Sequence, residues 1–185
     1  VFEFSYTNST PSLALSITGE QTSFTSGVVA NNQYHVNTTA GNYISAPVSN
    51  LSSVSNEISF SFWARGNTGI GSTKTVAIYG ADANGNKTLN VHLPWNNSRV
   101  YFDCGNDGGA SDRIDELAAA SQLQNTWNHW AFTKNATTGL MKIYLNGAIF
   151  KSGTSKTRTL DLATLTIGAN NAGGNIYGGD LDEIR

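Results

Sequence analysis

Cysteine, charged residues and long apolar runs are all scarce in this chain of 185 residues. The one cysteine, Cys104, excludes a disulfide within the chain, so we expect stability to come from a hydrophobic core in which Cys104 is buried. No apolar stretch approaches the roughly 20 residues that a membrane-spanning helix needs, so we expect no membrane insertion. Lys and Arg number 11 against 13 Asp and Glu, and this deficit of basic residues argues against nucleic-acid binding.

The length is sufficient for a sizeable core. Sandwiches and barrels often have this length as one unit, so we expect a single domain over residues 1–185 that is part of a larger protein or assembly. Asn, Ser, Thr and Gly are abundant, and these residues favour turns and solvated strands over helix interiors.

Short alternating segments separated by turn residues are the main pattern of the sequence. Asn84-Gly85 and Asn146-Gly147 are favoured hairpin turns because both residue types tolerate positive φ, and Gly139 suits the left-handed position of a third loop. In the strand predicted over 58–65, four apolar side chains point to one face, namely those of Ile58, Phe60, Phe62 and Ala64. Strands are predicted over 2–6, 42–46, 58–65, 74–79, 89–93, 100–103, 127–134, 140–145, 148–151, 165–167 and 181–184.

The only helix that we predict spans residues 113–123. Asp112 stands in the N-cap position, and Asp115 and Glu116 in the first turn suit the helix dipole. We expect this short helix to cover a sheet edge or a loop.

Many strands and at most one short helix predict an all-β fold of two packed antiparallel sheets. The strand pattern alone does not separate a jelly roll from an immunoglobulin-like sandwich. The immunoglobulin-like alternative is less favoured, because it expects about 100 residues and often a Cys-Trp-Cys core.

Three sequence motifs lie in order along residues 58–185. They read ISFSFWAR (58–65), WNHWAFTK with GLMKIYLNG (127–134 and 139–147), and IG with GDLDEIR (167–168 and 179–185). In this order they resemble laminin-G-like jelly-roll domains of the concanavalin A-like type. The resemblance implies a two-sheet jelly roll and leaves the ligand open, because this fold supports lectins, adhesion modules, pentraxins and glycosidases.

The middle segment, residues 92–114, is similar to a subtype of these domains. That subtype occurs in bacterial secreted or surface proteins and in virion proteins of marine bacteriophages. The similarity implies an extracellular, cell-surface or virion location, which the polar and Lys-poor composition suits.

Catalysis is the least favoured function. Glycosidases of this fold carry paired carboxylates a few residues apart on one strand, in a Glu-x-Asp-x-x-Glu type of run, as nucleophile and acid/base. None of the glutamates makes such a run; they are Glu3, Glu20, Glu57, Glu116 and Glu183. We therefore predict that the chain is not an enzyme.

Residues 95–113 concentrate the residue types that bind sugars, namely aromatic rings for stacking and Asn, Asp and Arg for hydrogen bonds to hydroxyls. The predicted ligand-binding residues are Trp95, Asn97, Arg99, Tyr101, Asp103, Asn106, Asp107, Asp112 and Arg113. The alternative is that Trp95 fills one end of the core and that the Asp-Gly run is only a turn. Trp63, Trp127 and Trp130 lie in predicted strands and are interpreted as core or sheet-face residues, as is His129.

The resemblance also implies a structural Ca²⁺ ion that ties the closing strand to the N-terminal region. Asp182 matches the position of the closing-strand carboxylate, and carbonyl groups of Glu3, Gly41 and Asn42 are candidate further ligands. In the alternative, Asp182 caps a turn or pairs with Arg185.

Three hypotheses of function follow. The leading one is a non-catalytic carbohydrate-binding or adhesion module that recognises a cell-surface glycan or polysaccharide. The second is a structural virion or surface-assembly subunit, such as a phage decoration or fibre protein, which packs against other copies and has no sugar site. The third, and least favoured, is a glycoside-active enzyme.

Overall fold

A computed structural model of the chain describes residues 16–18, 36–37, 43–47, 54–106 and 110–185. Thirteen strands and one short α-helix, α1 (Ala120–Leu123), lie within these ranges. The strands are β1 (Ser16–Thr18), β2 (Val36–Asn37), β3 (Tyr43–Pro47), β4 (Glu57–Gly66), β5 (Ile78–Ala81), β6 (Lys87–His92), β7 (Arg99–Asn106), β8 (Ser111–Leu117), β9 (Asn128–Asn135), β10 (Leu140–Leu145), β11 (Ala148–Gly153), β12 (Thr164–Ile167) and β13 (Gly179–Asp182).

The strands form two antiparallel sheets. A seven-stranded sheet has the order β1-β3-β12-β5-β6-β7-β8, and a six-stranded sheet has the order β11-β10-β9-β4-β13-β2. Neighbours in the order are often distant in sequence; β4, for example, pairs with both β9 and β13. This architecture confirms the predicted two-sheet antiparallel jelly roll.

The hydrophobic core lies between the two sheets. Phe62 and Phe132 from the six-stranded sheet and Phe102 from the seven-stranded sheet are each 0% exposed. The ring centroids of Phe102 and Phe132 are 5.3 Å apart in an edge-to-face arrangement, so the two sheets are in direct aromatic contact. Cys104 is also 0% exposed, as predicted for a small apolar side chain.

The turn residues adopt the backbone conformations that their types favour. Gly85 has a φ of 82°, and the β10–β11 turn has φ values of 50° at Asn146 and 82° at Gly147. Gly139, between β9 and β10, has a φ of 68°. These left-handed conformations agree with the predicted hairpin loops at Gly139 and at Asn146-Gly147. Asn84-Gly85 also lies in a hairpin loop, but this loop spans residues 82–86 and is not a two-residue turn, and only Gly85 of the pair has a positive φ.

The predicted helix over 113–123 is wrong for most of its length. Ser111–Leu117 is the edge strand β8, and only Ala120–Leu123 is helical. Along β8, Asp112 and Ile114 are buried on the core side, whereas Arg113 is exposed on the outer side. Asp112 is therefore no N-cap: it occupies an inward strand position and disguises the two-residue alternation that would otherwise identify a strand.

Three of the four tryptophans divide between the core and the outer face of the six-stranded sheet. Trp130 is 1% exposed and belongs to the core. Trp63 is half-buried on the outer face, where its ring lies 5.4 Å from that of its cross-strand partner His129. Trp127 precedes β9 and lies beneath the guanidinium of Arg65, at 5.1 Å.

The part of the chain that the structure describes holds no helix of the length and apolarity that crossing a membrane requires.

Candidate functional site

The outer face of the seven-stranded sheet is lined with polar and aromatic side chains. Strand alternation produces it: on β7, Val100, Phe102 and Cys104 point into the core, so the side chains between them point outward. The pairing of neighbouring strands from β5 to β8 places four of these outward side chains in one row: Tyr79, Asn90, Asp103 and Arg113. We call this surface the polar face, and it comprises Lys74, Tyr79, Lys87, Asn90, His92, Trp95, Asn97, Arg99, Tyr101, Asp103, Arg113 and Asp115.

Asp103 lies at the centre of the polar face and is held by two cations. Its carboxylate accepts hydrogen bonds from Arg113 Nε (2.5 Å) and Nη2 (2.8 Å) and from Lys87 Nζ (2.9 Å). Burial by itself would raise the pKa of Asp103, but the hydrogen bonds from Arg113 and Lys87 outweigh burial and hold the pKa below its ordinary value. Asp103 is therefore ionised at neutral pH and anchors both cations.

His92 is fixed in one neutral tautomer by its two neighbours. Its Nδ1 lies 2.8 Å from the carbonyl oxygen of Thr75, which only accepts, so Nδ1 carries the proton. In the neutral ring Nε2 then accepts from Asn90 Nδ2 at 2.8 Å. Burial lowers the pKa of His92 and outweighs the hydrogen bond to the Thr75 carbonyl, so the ring is neutral at physiological pH.

Trp95 stands at one end of the polar face on a tight turn. The turn is closed by hydrogen bonds from Ser98 N to the Trp95 carbonyl (3.0 Å) and from Trp95 N to the Arg99 carbonyl (2.9 Å). The indole ring is half-buried, its centroid 4.3 Å from that of His92, with Lys74 Nζ at 5.1 Å. The ring is held by these neighbours and is not among the described residues that form the hydrophobic core or pack against it.

Tyr101 connects the two ends of the polar face. Its hydroxyl accepts a hydrogen bond from Asn97 Nδ2 at 2.9 Å, and the Arg113 guanidinium lies 4.9 Å from the ring centroid. Beside it, Arg99 Nε donates to Asp115 Oδ2 at 2.5 Å. Aromatic and hydrogen-bonding groups are thus held in fixed positions by one another, which is the arrangement that sugar hydroxyls and C–H faces require.

The structure brings six of the predicted ligand-binding residues together on the polar face. They are Trp95, Asn97, Arg99, Tyr101, Asp103 and Arg113. Asn106 lies at the end of β7, where its side-chain amide donates to the Lys87 carbonyl. Asp107 lies outside the described residues. Because Asp103 is 1% exposed, we assign it the positioning of Arg113 and Lys87 and no direct ligand contact.

Asp112 lies on the core side of β8, away from the polar face. Its carboxylate accepts from Lys134 Nζ (2.6 Å), from Arg158 Nη1 (2.9 Å) and from the Arg158 backbone (2.8 Å). The side chains of Asp112 and Lys134 are 4% and 2% exposed. Asp112 therefore takes part in a buried ion pair that joins the two sheets, and we no longer assign it a ligand contact.

Six members of the polar face are not predicted as site residues from the sequence: Lys74, Tyr79, Lys87, Asn90, His92 and Asp115. A signal was present on β6, where Asn90 and His92 alternate with the buried Leu89 and Val91. That alternation gives an outward polar side to the strand, but only the β6–β7 register places it beside Tyr101 and Asp103.

Only part of the predicted Ca²⁺ site lies in the described residues. Asp182 is 0% exposed on β13, and its Oδ1 accepts a hydrogen bond from Glu183 N at 2.8 Å. Glu3, Gly41 and Asn42 lie outside the described residues. A buried carboxylate fits one ligand position of a Ca²⁺ ion. Within the described residues, no group of three or more His, Cys, Asp or Glu side chains forms a metal cluster, so Ca²⁺ stays a prediction.

Comparison with known proteins places this fold in a family. The model of the concanavalin A-like lectin/glucanases superfamily matches residues 37–185. A search of curated proteins found no match to the sequence.

Several solved structures share the fold at low sequence identity. The receptor-binding domain of botulinum neurotoxin C/D mosaic serotype is 17% identical with a TM-score of 0.68, and the match covers 94% of this chain and 41% of that one. The ligand-binding domain of serotype D, solved with N-acetylneuraminic acid, is 16% identical with a TM-score of 0.67 and covers 94% and 41%. The binding domain of neurotoxin DC, solved with SialylT, is 16% identical with a TM-score of 0.68 and the same coverage. The chain spans about two fifths of these structures, and the likeness shows the fold alone.

Proposed function

This chain belongs to the concanavalin A-like lectin/glucanases superfamily, and from that premise we propose that it is a non-catalytic carbohydrate-binding module whose ligand lies on the polar face. The observation that carries the proposal is the pre-positioned ring of Trp95, half-buried between His92 and Lys74 at the end of a row of hydrogen-bonding side chains. A sugar that stacks on this ring would place its hydroxyls towards Asn97, Tyr101 and Arg113.

The polar face suits binding better than hydrolysis. Retaining glycosidases need two carboxyl groups about 5 Å apart, one of which attacks the sugar. The central carboxylate here, Asp103, is 1% exposed and already accepts hydrogen bonds from Lys87 and Arg113. A carboxylate in that state is a poor nucleophile, because it is screened from substrate and stabilised by two cations.

Two proteins of the same fold that were solved with bound saccharides support a saccharide ligand. The serotype D domain was solved with N-acetylneuraminic acid and the DC domain with SialylT. A module of this kind would act outside the cell, at a cell surface or on a virion, as one domain of a larger protein.

The test is a glycan-array screen of the purified protein and of its Trp95→Ala variant. Trp63→Ala is the matched control, because Trp63 is also half-buried but lies on the outer face of the other sheet. We expect binding that Trp95→Ala abolishes and Trp63→Ala preserves, since loss of a stacking platform typically costs a weak lectin its measurable affinity. Absence of binding to any glycan would refute the proposal.

One observation favours a second function, that of an assembly subunit. Leu117 and Ile149 are 58% and 60% exposed, and both lie on edge strands, β8 and β11, on the side of the sandwich that the Lys151–Glu116 ion pair bridges. Exposed apolar side chains beside open strand edges are typical of contacts between copies. A discrete oligomer in light scattering that Leu117→Ser and Ile149→Ser dissociate would support this function, and a monomer would exclude it.

A further inference from the structure

The polar face carries a surplus of positive charge on a chain that is negative overall. The net charge of the chain is -2. The polar face holds four cations and two carboxylates, which are Lys74, Lys87, Arg99 and Arg113, and Asp103 and Asp115. Asp82, at its margin, adds a third carboxylate, which accepts hydrogen bonds from the backbone of Asn84 and Asn86, so the cations still outnumber the carboxylates by one when Asp82 is counted. Such a local surplus attracts anions to this face.

The central carboxylate is hidden beneath the cations that bind it. The side chain of Asp103 is 1% exposed, whereas those of Lys87 and Arg113 are 34% and 48% exposed. A ligand therefore meets the two cationic groups and not the anion between them. Because Asp103 fixes both groups in place, a ligand that binds them loses less side-chain entropy than it would on free lysine and arginine chains.

The exposed cations lie next to the aromatic rings. Arg113 lies over Tyr101 at 4.9 Å, and Lys74 Nζ lies 5.1 Å from the centroid of Trp95. Within the described part of the chain, Arg113 bonds Asp103 through Nε and Nη2, and no hydrogen bond uses Nη1. A sugar that binds at Trp95 would thus meet the ammonium group that lies over the indole ring, and a guanidinium edge lies further along the same face.

We propose that the ligand of the polar face is an acidic saccharide, whose carboxylate or sulfate groups bind the exposed cations Lys74, Lys87 and Arg113. The inference rests on the proposed carbohydrate-binding function and specifies its ligand class. Aromatic stacking alone would accept neutral sugars equally well; the fixed cations add charge-assisted hydrogen bonds that only an anionic sugar can make.

The ligand class is tested with saccharides that share a backbone and differ in charge. The pairs are polygalacturonate and its methyl ester, carboxymethyl-cellulose and hydroxyethyl-cellulose, and dextran sulfate and dextran. We expect the charged member of at least one pair to bind about tenfold more tightly than the neutral one. Raising the salt from about 10 mM to about 150 mM should weaken the charged member selectively, because the Debye length falls from ~30 Å to ~8 Å.

Two variants locate the charge effect. Lys74→Gln removes an exposed ammonium group that lies over the Trp95 ring and takes no part in the ion pairs of Asp103, so it leaves those ion pairs intact. Lys142→Gln is the matched control, because Lys142 lies over Tyr144 at 6.0 Å on the other sheet. We expect Lys74→Gln to weaken binding of the acidic saccharide severalfold more than binding of its neutral counterpart, and Lys142→Gln to change neither; an equal loss for both members of a pair would show that Lys74 only positions the Trp95 ring. Arg113→Gln should have a larger effect, with thermal unfolding measured alongside because it also removes a partner of Asp103.

The possible results separate this inference from the function on which it rests. Equal affinity for the charged and neutral members of every pair overturns the acidic-ligand inference and leaves the binding module intact. Equal affinity for single-stranded DNA of the same charge overturns the saccharide specificity. If the protein binds neither a member of the panel nor any glycan on the array, both the acidic-ligand inference and the proposed carbohydrate-binding function are overturned.

Discussion

Replacing Lys134 by Met should destabilise the fold strongly, because it leaves a carboxylate buried without its main partner. Lys134 Nζ is 2.6 Å from Asp112 Oδ2, 3.0 Å from the Lys156 carbonyl oxygen and 3.8 Å from Met141 Sδ. Methionine has a similar length and would fit beside Met141, so the change removes the charge with little loss of volume. Breaking a buried ion pair in this way typically costs about 3–5 kcal/mol of the free energy of unfolding.

The matched control is Lys151→Met. Lys151 Nζ makes an ion pair of 2.9 Å with Glu116, but both side chains are 37% exposed. The same substitution there should change stability little, since solvent screens the pair and rehydrates the carboxylate. Urea denaturation of both variants measures the difference.

The double variant Lys134→Met/Asp112→Leu distinguishes loss of the ion pair from loss of packing. It also removes the buried carboxylate, which in Lys134→Met keeps only Arg158 as a partner, and Arg158, whose side chain is 35% exposed, can turn to solvent. The double variant should therefore recover most of the stability lost in Lys134→Met. A double variant that is less stable than either single variant, or a Lys134→Met variant as stable as Lys151→Met, would refute this explanation.

The same ion pair predicts an acid limit for the fold. Burial alone would raise the pKa of Asp112, but hydrogen bonds from Lys134 and Arg158 outweigh burial and lower the pKa below the ordinary value of 3.8. A folded-state pKa below the unfolded one contributes stability that is present above pH 3.8 and is lost as the pH falls through the lowered value. Asp112→Asn should remove this part of the acid dependence.

Three further predictions concern protons, metal and the thiol. Burial lowers the pKa of His92 and of His129 below 6.5, so the unfolded chain takes up protons first and the free energy of unfolding should fall as the pH drops below that value. Thermal unfolding between about pH 8 and 5 should show that His92→Gln and His129→Gln each remove part of this pH dependence. An unchanged profile in both variants would contradict the prediction. If Ca²⁺ binds at Asp182, a Ca²⁺ concentration ten times the Kd should add about 1.4 kcal/mol to the free energy of unfolding, which raises the melting temperature by roughly 3–6 °C above that in chelator. Asp182→Asn should abolish this shift. Identical melting temperatures with Ca²⁺ and with chelator would exclude the site. Burial raises the pKa of Cys104 to about 12, so a thiol reagent should label the native protein slowly and the urea-unfolded protein at once, whereas rapid native labelling would show that the core opens there.

Local patterns in the sequence are sufficient to predict most strands, whereas the jelly-roll topology is predicted from the resemblance of residues 58–185 to laminin-G-like domains. The alternation of Phe60, Phe62 and Ala64 and the Asn146-Gly147 turn are local signals, and each agrees with the structure. They determine strand positions without any knowledge of pairing partners.

The site and the strand β8 depend on contacts that the sequence does not display. Asp112 occupies a core position only because Lys134, 22 residues away, and Arg158, 46 residues away, neutralise it. A polar residue at an inward position hides the strand alternation, so the segment resembles a capped helix. Likewise, Lys87 and Asn90 join Asp103 and Trp95 on one face only through the register of β6 and β7.

Amide chemical-shift mapping would show whether the polar face binds saccharide. The ¹⁵N-labelled protein would be titrated with the tightest binder from the glycan array, and shifts would be assigned to residues. We expect shifts concentrated at Trp95, Asn97, Tyr101 and Arg113, and their loss in Trp95→Ala. Shifts centred instead on Trp63, His129 and Tyr144, on the outer face of the six-stranded sheet, would contradict it.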